Sequence, residues 1–318
     1  MLECTLKKKE TIPKLPDYRD PSRRPEMGKK NDLAYEEKRL ELQKELDQLP
    51  LPQSLRLLQE QQMDIGFIQD DLSQVRYFQC YGPNDSFFIG QFNPRRAERS
   101  GGAGRMIPPP GIETKSTPST RCFLCVDNVR WQSLGIQMYY QFQVGSNIYN
   151  ALSNPFPFMH THMTICAIEH EPQSWHQVSI WKTDKIVRLV EDLYDVAHQL
   201  EGFVGFYNGV GAGASIEEHF HFHFFQVPEG HGLFPLQQIA NSVQRQTETA
   251  AMFSDDCLSK LVIAPQYYPL TAFRFRGDRK TICPSAIEQI RRWDSLAGGS
   301  ASANLISIWE DGGLALYL

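Results

Sequence analysis

Hydrophobic and polar positions alternate most sharply in "HFHFHFF", residues 219–225, where His219, His221 and His223 take every second place and Phe220, Phe222 and Phe224 the places between. Side chains of a strand point alternately to its two faces, so this run predicts a strand with one imidazole face and one aromatic face. Further strand patterns are "RYFQCY" and "SFFIGQFNP" around the turn "GPNDS", then "HMTICAI", "FVGFYN" and "KLVIA". The last two, "NLISIW" and "LALYL", flank "EDGG" as in a hairpin. A helical period governs "TDKIVRLVEDLYDVAHQLEG": Ile186, Val190, Leu193, Ala197 and Leu200 recur at intervals of three and four and form one stripe, with Gly202 where a helix stops. "PSAIEQIRRWDSL" predicts a second helix opening on its proline.

Ahead of these elements the pattern is different. Of 69 charged residues, 23 fall within residues 1–50, which predicts an N-terminal extension or docking arm whose second part, "DLAYEEKRLELQKELDQLP", is an exposed helix. The folded domain is expected from "LPQSLRLLQEQQ" onward, with a Gly/Pro/Ser/Thr-rich loop over residues 99–120 leading into Cys122 and Cys125. The chain stops inside a predicted strand, so the native C-terminus is expected to lie further on.

Composition is that of a soluble globular protein, 41% apolar and 22% charged, and 318 residues suffice for one large domain or two smaller ones. A net charge of -5 gives no electrostatic case for a nucleic-acid partner. No apolar run reaches membrane-span length and the start lacks a signal-peptide core, so the expectation is a cytoplasmic protein with no membrane partner. The seven cysteines are odd in number and scattered, which predicts reduced thiols.

Three imidazoles on one strand face suit either a metal or a nucleophile with helpers. Just upstream, "YNGVGAGAS" offers Gly209, Gly211 and Gly213 for close backbone approach and N–H donation to an anion, with Asn208 and Ser215 as side-chain donors. The combination favours phosphate chemistry. Arg95 or Arg96 in "FNPRR" would suit phosphate oxygens, or equally a solvated loop. Cys122-x-x-Cys125 is open to three readings: zinc, a redox pair, or two buried thiols.

"HFHFHFF", together with "NPFPFMHTHMTICAIEHEPQ", in which His162 and His170 open and close a strand, resembles the histidine-triad superfamily. "CFLC", "QFNPRR" and "YNGVGAGAS" make it similar to the transferase branch: galactose-1-phosphate uridylyltransferase, diadenosine tetraphosphate phosphorylase and the GDP-hexose phosphorylases. The resemblance runs from about residue 55 to the end and implies an α+β fold: an antiparallel sheet flanked by helices, built from two related halves, a catalytic one over 51–231 and a degenerate one without histidines over 232–318.

The resemblance further implies an enzyme that cleaves an NDP-sugar or dinucleoside polyphosphate through a nucleotidyl-histidine on His221, with phosphate or a sugar phosphate as acceptor. His223 and Ser215 would serve the phosphoryl oxygens, and Asn208, Gly213, Asn154 and Arg95 would bind substrate. Asn154 stands where the superfamily places its ribose-binding acid. His162 would lie near the triad in a supporting role. Structural zinc would be held by Cys122, Cys125, His170 and His219, and a homodimer is compatible with the branch. At the third motif position, where that branch has Gln, this chain has His223, the mark of the hydrolase branches. Water therefore stands as the alternative acceptor, and a non-catalytic nucleotide- or zinc-binding module as the rival from another class.

Overall fold

The computed structural model describes residues 29–65, 67–68, 72–81, 87–94, 124–126, 129, 137–168, 184–214, 216–217, 219–228, 230, 232–250, 260–299, 301–310 and 313–318. Within them nine strands form one antiparallel sheet: β3 (Tyr139–Val144), β4 (Asn147–Ser153), β5 (Met163–Ala167), β6 (Phe203–Tyr207), β7 (His221–Gln226), β8 (Lys260–Ile263), β9 (Ala272–Arg276), β10 (Leu305–Glu310) and β11 (Gly313–Tyr317). A separate two-stranded ribbon pairs β1 (Arg76–Tyr81) with β2 (Phe87–Phe92). The helices are α1 (Lys29–Leu46), α2 (Leu51–Asp64), α3 (Lys185–Gln199), α4 (Pro235–Ala250) and α5 (Arg279–Leu296).

The strand order across the large sheet is β3-β4-β5-β7-β6-β10-β11-β9-β8. Read outward from the β6–β10 pair, both sides run alike: β6-β7-β5-β4 on one side and β10-β11-β9-β8 on the other, with α3 inserted between β5 and β6 and α5 between β9 and β10. Apart from the edge strand β3, the sheet is thus a palindrome of one strand–strand–helix–strand–strand unit. Only the first copy carries histidines on its last strand; the same-face positions of β11 are Gly313, Ala315 and Tyr317.

One face of the sheet is the main core. Phe220, Phe222 and Phe224 are buried there with Tyr149, whose ring centre lies 6.0 Å from that of Phe222. The stripe Ile186, Val190, Leu193, Ala197 and Leu200 of α3 packs on this face, each residue 1% exposed or less. Burying one aliphatic side chain of this size contributes about 1.5–3 kcal/mol. Gly205 of β6 has no side chain because the Phe224 ring and Ser307 Oγ occupy the space a Cβ would need. Tyr149 also donates to Asp192 of α3, which Asn147 and Arg188 approach as well. Burial pushes Asp192 above the usual carboxylate range, and burial followed by the Asp192 charge pushes Tyr149 up.

The opposite face carries the histidines on one side and, beyond β10, a second apolar cluster under α4 with Ile308, Ala315 and Tyr317. A buried polar network joins α4 to this end: Arg274 donates to Asn241 Oδ1 at 2.8 Å and to Gln244 Oε1, and lies 3.8 Å from Glu310.

The helix expected to be exposed near the N-terminus is α1, and it is docked. Tyr35 and Leu46 are buried, and Tyr35 Oη donates to the carbonyl of Gln137 at 2.9 Å. Gln43 completes the edge strand β3 with its amide, donating to Gln141 O at 2.7 Å and accepting from Gln141 N at 2.9 Å. A side-chain amide thus takes the place of a neighbouring strand and covers an otherwise open edge. Among the described residues no helix is long and apolar enough to cross a membrane.

Candidate active site

The registers that carry the histidines set Cys166 opposite His221 and Thr164 opposite His223 on β5, and Phe206 opposite His223 on β6. Residues directly opposite share a face. His221 and His223 therefore stand side by side with Thr164, Cys166 and Phe206. Their ring centres are 5.1 Å apart with planes at 85°. His219 and His221 are 2% and 6% exposed, and His223 is half-buried.

His221 Nδ1 lies 2.7 Å from the carbonyl oxygen of His219. A carbonyl only accepts, so the ring nitrogen donates, and the neutral imidazole then carries its lone pair on Nε2. His219 stands at the bend just before β7, so the carbonyl that orients this ring comes from the segment leading into the strand, two residues back. The same logic fixes His219. Its Nε2 donates to Ala167 O at 2.6 Å, leaving Nδ1 directed to Cys125 Sγ at 3.7 Å.

His223 is held from three sides. Its Nδ1 is 3.3 Å from His162 Nε2 and 3.5 Å from Thr164 Oγ1, and its ring stacks on Phe206 with centres 4.9 Å apart. His162 is itself 2% exposed, with Phe158 packed 4.3 Å away, ring centre to ring centre. The turn before it includes Thr161 at φ 50°, a left-handed conformation that strains a β-branched residue. It is pinned by Gln226 N–H to His160 O at 2.9 Å and Asn154 N–H to His162 O at 2.9 Å.

Asn154 shapes this turn, its Oδ1 accepting from Phe156 N at 2.9 Å. Asn208 follows β6 directly, and the pairing of Phe206 with His223 puts it level with His221 on the same face. In the glycine turn, Gly211 and Gly213 have φ of 76° and 112°, and nothing lies within 4 Å of where a Gly213 Cβ would be. Gly209 departs from its expected role as an anion donor: its N–H goes to Asn304 Oδ1 at 3.0 Å, while its carbonyl accepts from Ala212 and Ala214.

Of the residues singled out from sequence, the structure brings together His221, His223, His162 and Asn208 at the site, and His219 with Cys125 beside it. Ser215, Arg95, Cys122 and His170 lie outside the described residues. Among the described residues no three His, Cys, Asp or Glu side chains group closely enough to hold a metal ion. Sequence reasoning missed Thr164, Phe158 and Phe206. The first was within reach, because alternation in "HMTICAI" puts Thr164 on the face of His162.

The model of a family described as "Domain of unknown function (DUF4922)" matches residues 57–226, more than half of the chain. A search of the curated proteins gave no match. Among solved structures, yeast Ap4A phosphorylase Apa2 superposes with a TM-score of 0.44 at 14% identity, over 81% of this chain and 77% of that one. Its complexes with AMP and with Ap4A give TM-scores of 0.43 and 0.42, both at 13% identity, over 81% and 82% of this chain and 78% and 79% of theirs. The chain belongs to the DUF4922 family.

Proposed function

We propose that this DUF4922 member is a nucleotidyltransferase of the histidine-triad type, in which His221 attacks the α-phosphorus of an NDP-sugar or a dinucleoside polyphosphate. The observation that carries this reading is the bond from His221 Nδ1 to the His219 carbonyl, 2.7 Å long. It leaves Nε2 unprotonated and holds the ring still. In the first step the Nε2 lone pair forms a P–N bond, the anhydride P–O bond breaks, and the leaving group departs with the electron pair as a phosphate-terminated product. The ring then carries a nucleotidyl group on Nε2 and a proton on Nδ1, and its positive charge is stabilised by the His219 carbonyl. In the second step an acceptor oxygen attacks phosphorus and the P–N electrons return to Nε2.

His223 would donate to the phosphoryl oxygens. When His162 Nε2–H donates across the 3.3 Å contact to His223 Nδ1, the His223 proton sits on Nε2, on the ring's other side. Asn208 and Ser215 are the further candidate donors, with the Gly213 region as the open part of an anion cradle; Arg95 and Asn154 would serve phosphate and ribose.

Inorganic phosphate is the preferred acceptor, and water is the second reading, favoured by His223 at the third motif position. Both are tested by turnover of a panel of NDP-sugars and dinucleoside polyphosphates, with and without inorganic phosphate. Products that gain one phosphate identify a phosphorylase, and unchanged rates without phosphate identify a hydrolase.

The resemblance implies structural zinc on Cys122, Cys125, His170 and His219. Of these, the described pair fits: two ligands on one tetrahedral ion, with Zn–S about 2.3 Å and Zn–N about 2.0–2.1 Å, sit about as far apart as Cys125 Sγ and His219 Nδ1, at 3.7 Å. The Ala167 carbonyl on the other ring nitrogen of His219 is the partner a metal-bound imidazole ordinarily has. Bound zinc would fasten the Cys125 segment to the residue whose carbonyl orients His221, without touching substrate.

A further inference from the structure

We propose that Asn304, contributed by the half of the sheet that carries no histidines, is a positioning residue for the anion-binding turn beside His221. This rests on the reading of His221 as the nucleophile.

The pairing of Tyr207 with Leu305 places Asn304 level with Asn208, which is itself level with His221. Neighbouring strands are about 4.8 Å apart, so Asn304 stands roughly 10 Å from the nucleophile along one row of the sheet. Its Oδ1 accepts the Gly209 N–H at 3.0 Å, at the point where the chain leaves β6 for the glycine turn. From the same segment, Ser302 Oγ donates to Val210 O at 2.6 Å, and a Cβ on Gly211 would come within 3.5 Å of that oxygen.

The first two residues of the turn are therefore fixed from outside the histidine half, one through its N–H and the other through its carbonyl. Gly209 O then collects the N–H groups of Ala212 and Ala214 at 2.9 and 3.2 Å, which closes the turn on itself. Orientation passes from Asn304 to Gly209 and from Gly209 to the open stretch around Gly213, the part that would meet a phosphoryl group. The second unit of the palindrome, having no histidines of its own, would supply the wall that aims the first unit's turn.

Asn304→Asp separates positioning from mere packing. A carboxylate still accepts the Gly209 N–H, but it adds negative charge to a row built to receive an anion. The full-length wild type, Asn304→Ala, Asn304→Asp and Ser302→Ala are compared by hydrogen exchange over residues 209–214 and by titration with the common nucleoside monophosphates. Asn304→Ala should exchange faster in the turn and bind about tenfold more weakly. Asn304→Asp should keep wild-type exchange yet bind at least as weakly as Asn304→Ala. Ser302→Ala should fall between wild type and Asn304→Ala in both. Unchanged affinity or unchanged turn exchange in Asn304→Ala, or turn exchange in Asn304→Asp as fast as in Asn304→Ala, overturns the positioning role while leaving the His221 reading intact. A wild type that binds none of the nucleotides overturns both. Exchange in β6 and β10 reports whether each variant is folded.

Discussion

The ring of His221, the first residue of β7, is hydrogen-bonded to the backbone of His219, Nδ1 to carbonyl oxygen at 2.7 Å. His219 stands at the bend that leads into β7, and its carbonyl lies within reach of the ring two residues on. An orienting group supplied by the main chain is present whatever side chain occupies position 219. His219→Ala should therefore preserve the His221 tautomer and act through the loss of its own contacts to Ala167 O and Cys125.

His162 meets the site through His223, Nε2 to Nδ1 at 3.3 Å. Its replacement by Ala removes one hydrogen bond, about 1 kcal/mol, and should lower kcat about fivefold with little change in KM. His162→Gln retains an amide donor and should recover part of the rate. Steady-state kinetics on the three proteins checks this, and a rise in KM at constant kcat would place His162 in ground-state binding instead.

Gly205→Ala should destabilise the fold by about 1–3 kcal/mol, the usual cost of overpacking a core. The added methyl would overlap the Phe224 ring and Ser307 Oγ, neither of which has room to retreat inside the sheet. Thermal or denaturant unfolding measures the loss.

Burial pushes the Cys283 thiol up from 9.0 to about 12. In native protein it should resist iodoacetamide, whereas the exposed Cys80 reacts. Because the folded value is raised, its contribution to stability is fully present below about pH 9 and is lost as pH rises toward 12. Alkylation mapped by mass spectrometry checks the first part, and unfolding at increasing pH the second.

Replacing Cys122 by Ser should release one equivalent of zinc and lower stability, read by metal analysis and unfolding. A metal-free, fully active wild type would remove zinc from the account.

The histidine strand and α3 were legible because each has one strong period and a partner face made of similar residues. Less was legible where burial depends on distant groups. No element is assigned to "AFRFR", and nothing local signals that Arg274 is 1% exposed, since Asn241, Gln244 and Glu310 meet it from α4 and β10. The hairpin β3–β4 escaped notice because Tyr and Asn occur on both of its faces and blur the alternation. "PSAIEQIRRWDSL" was read as a helix opening at Pro284, but α5 begins at Arg279, where Asp278 accepts from Thr281 N at 2.9 Å. The N-cap signal was present and the proline masked it. In the site, that Asn304, 95 residues beyond Gly209, engages the first N–H of the glycine turn was not legible.

The central claim is that Nε2 of one imidazole bonds to phosphorus. Wild type and His221→Ala are mixed with labelled NDP-sugars and dinucleoside polyphosphates, stopped under conditions that preserve P–N bonds, and mapped by mass spectrometry. The account predicts a nucleotidyl group on His221 in the wild type, discharged on adding acceptor and missing from the variant. Turnover by the wild type with no adduct at any time, or turnover retained in His221→Ala, would contradict it.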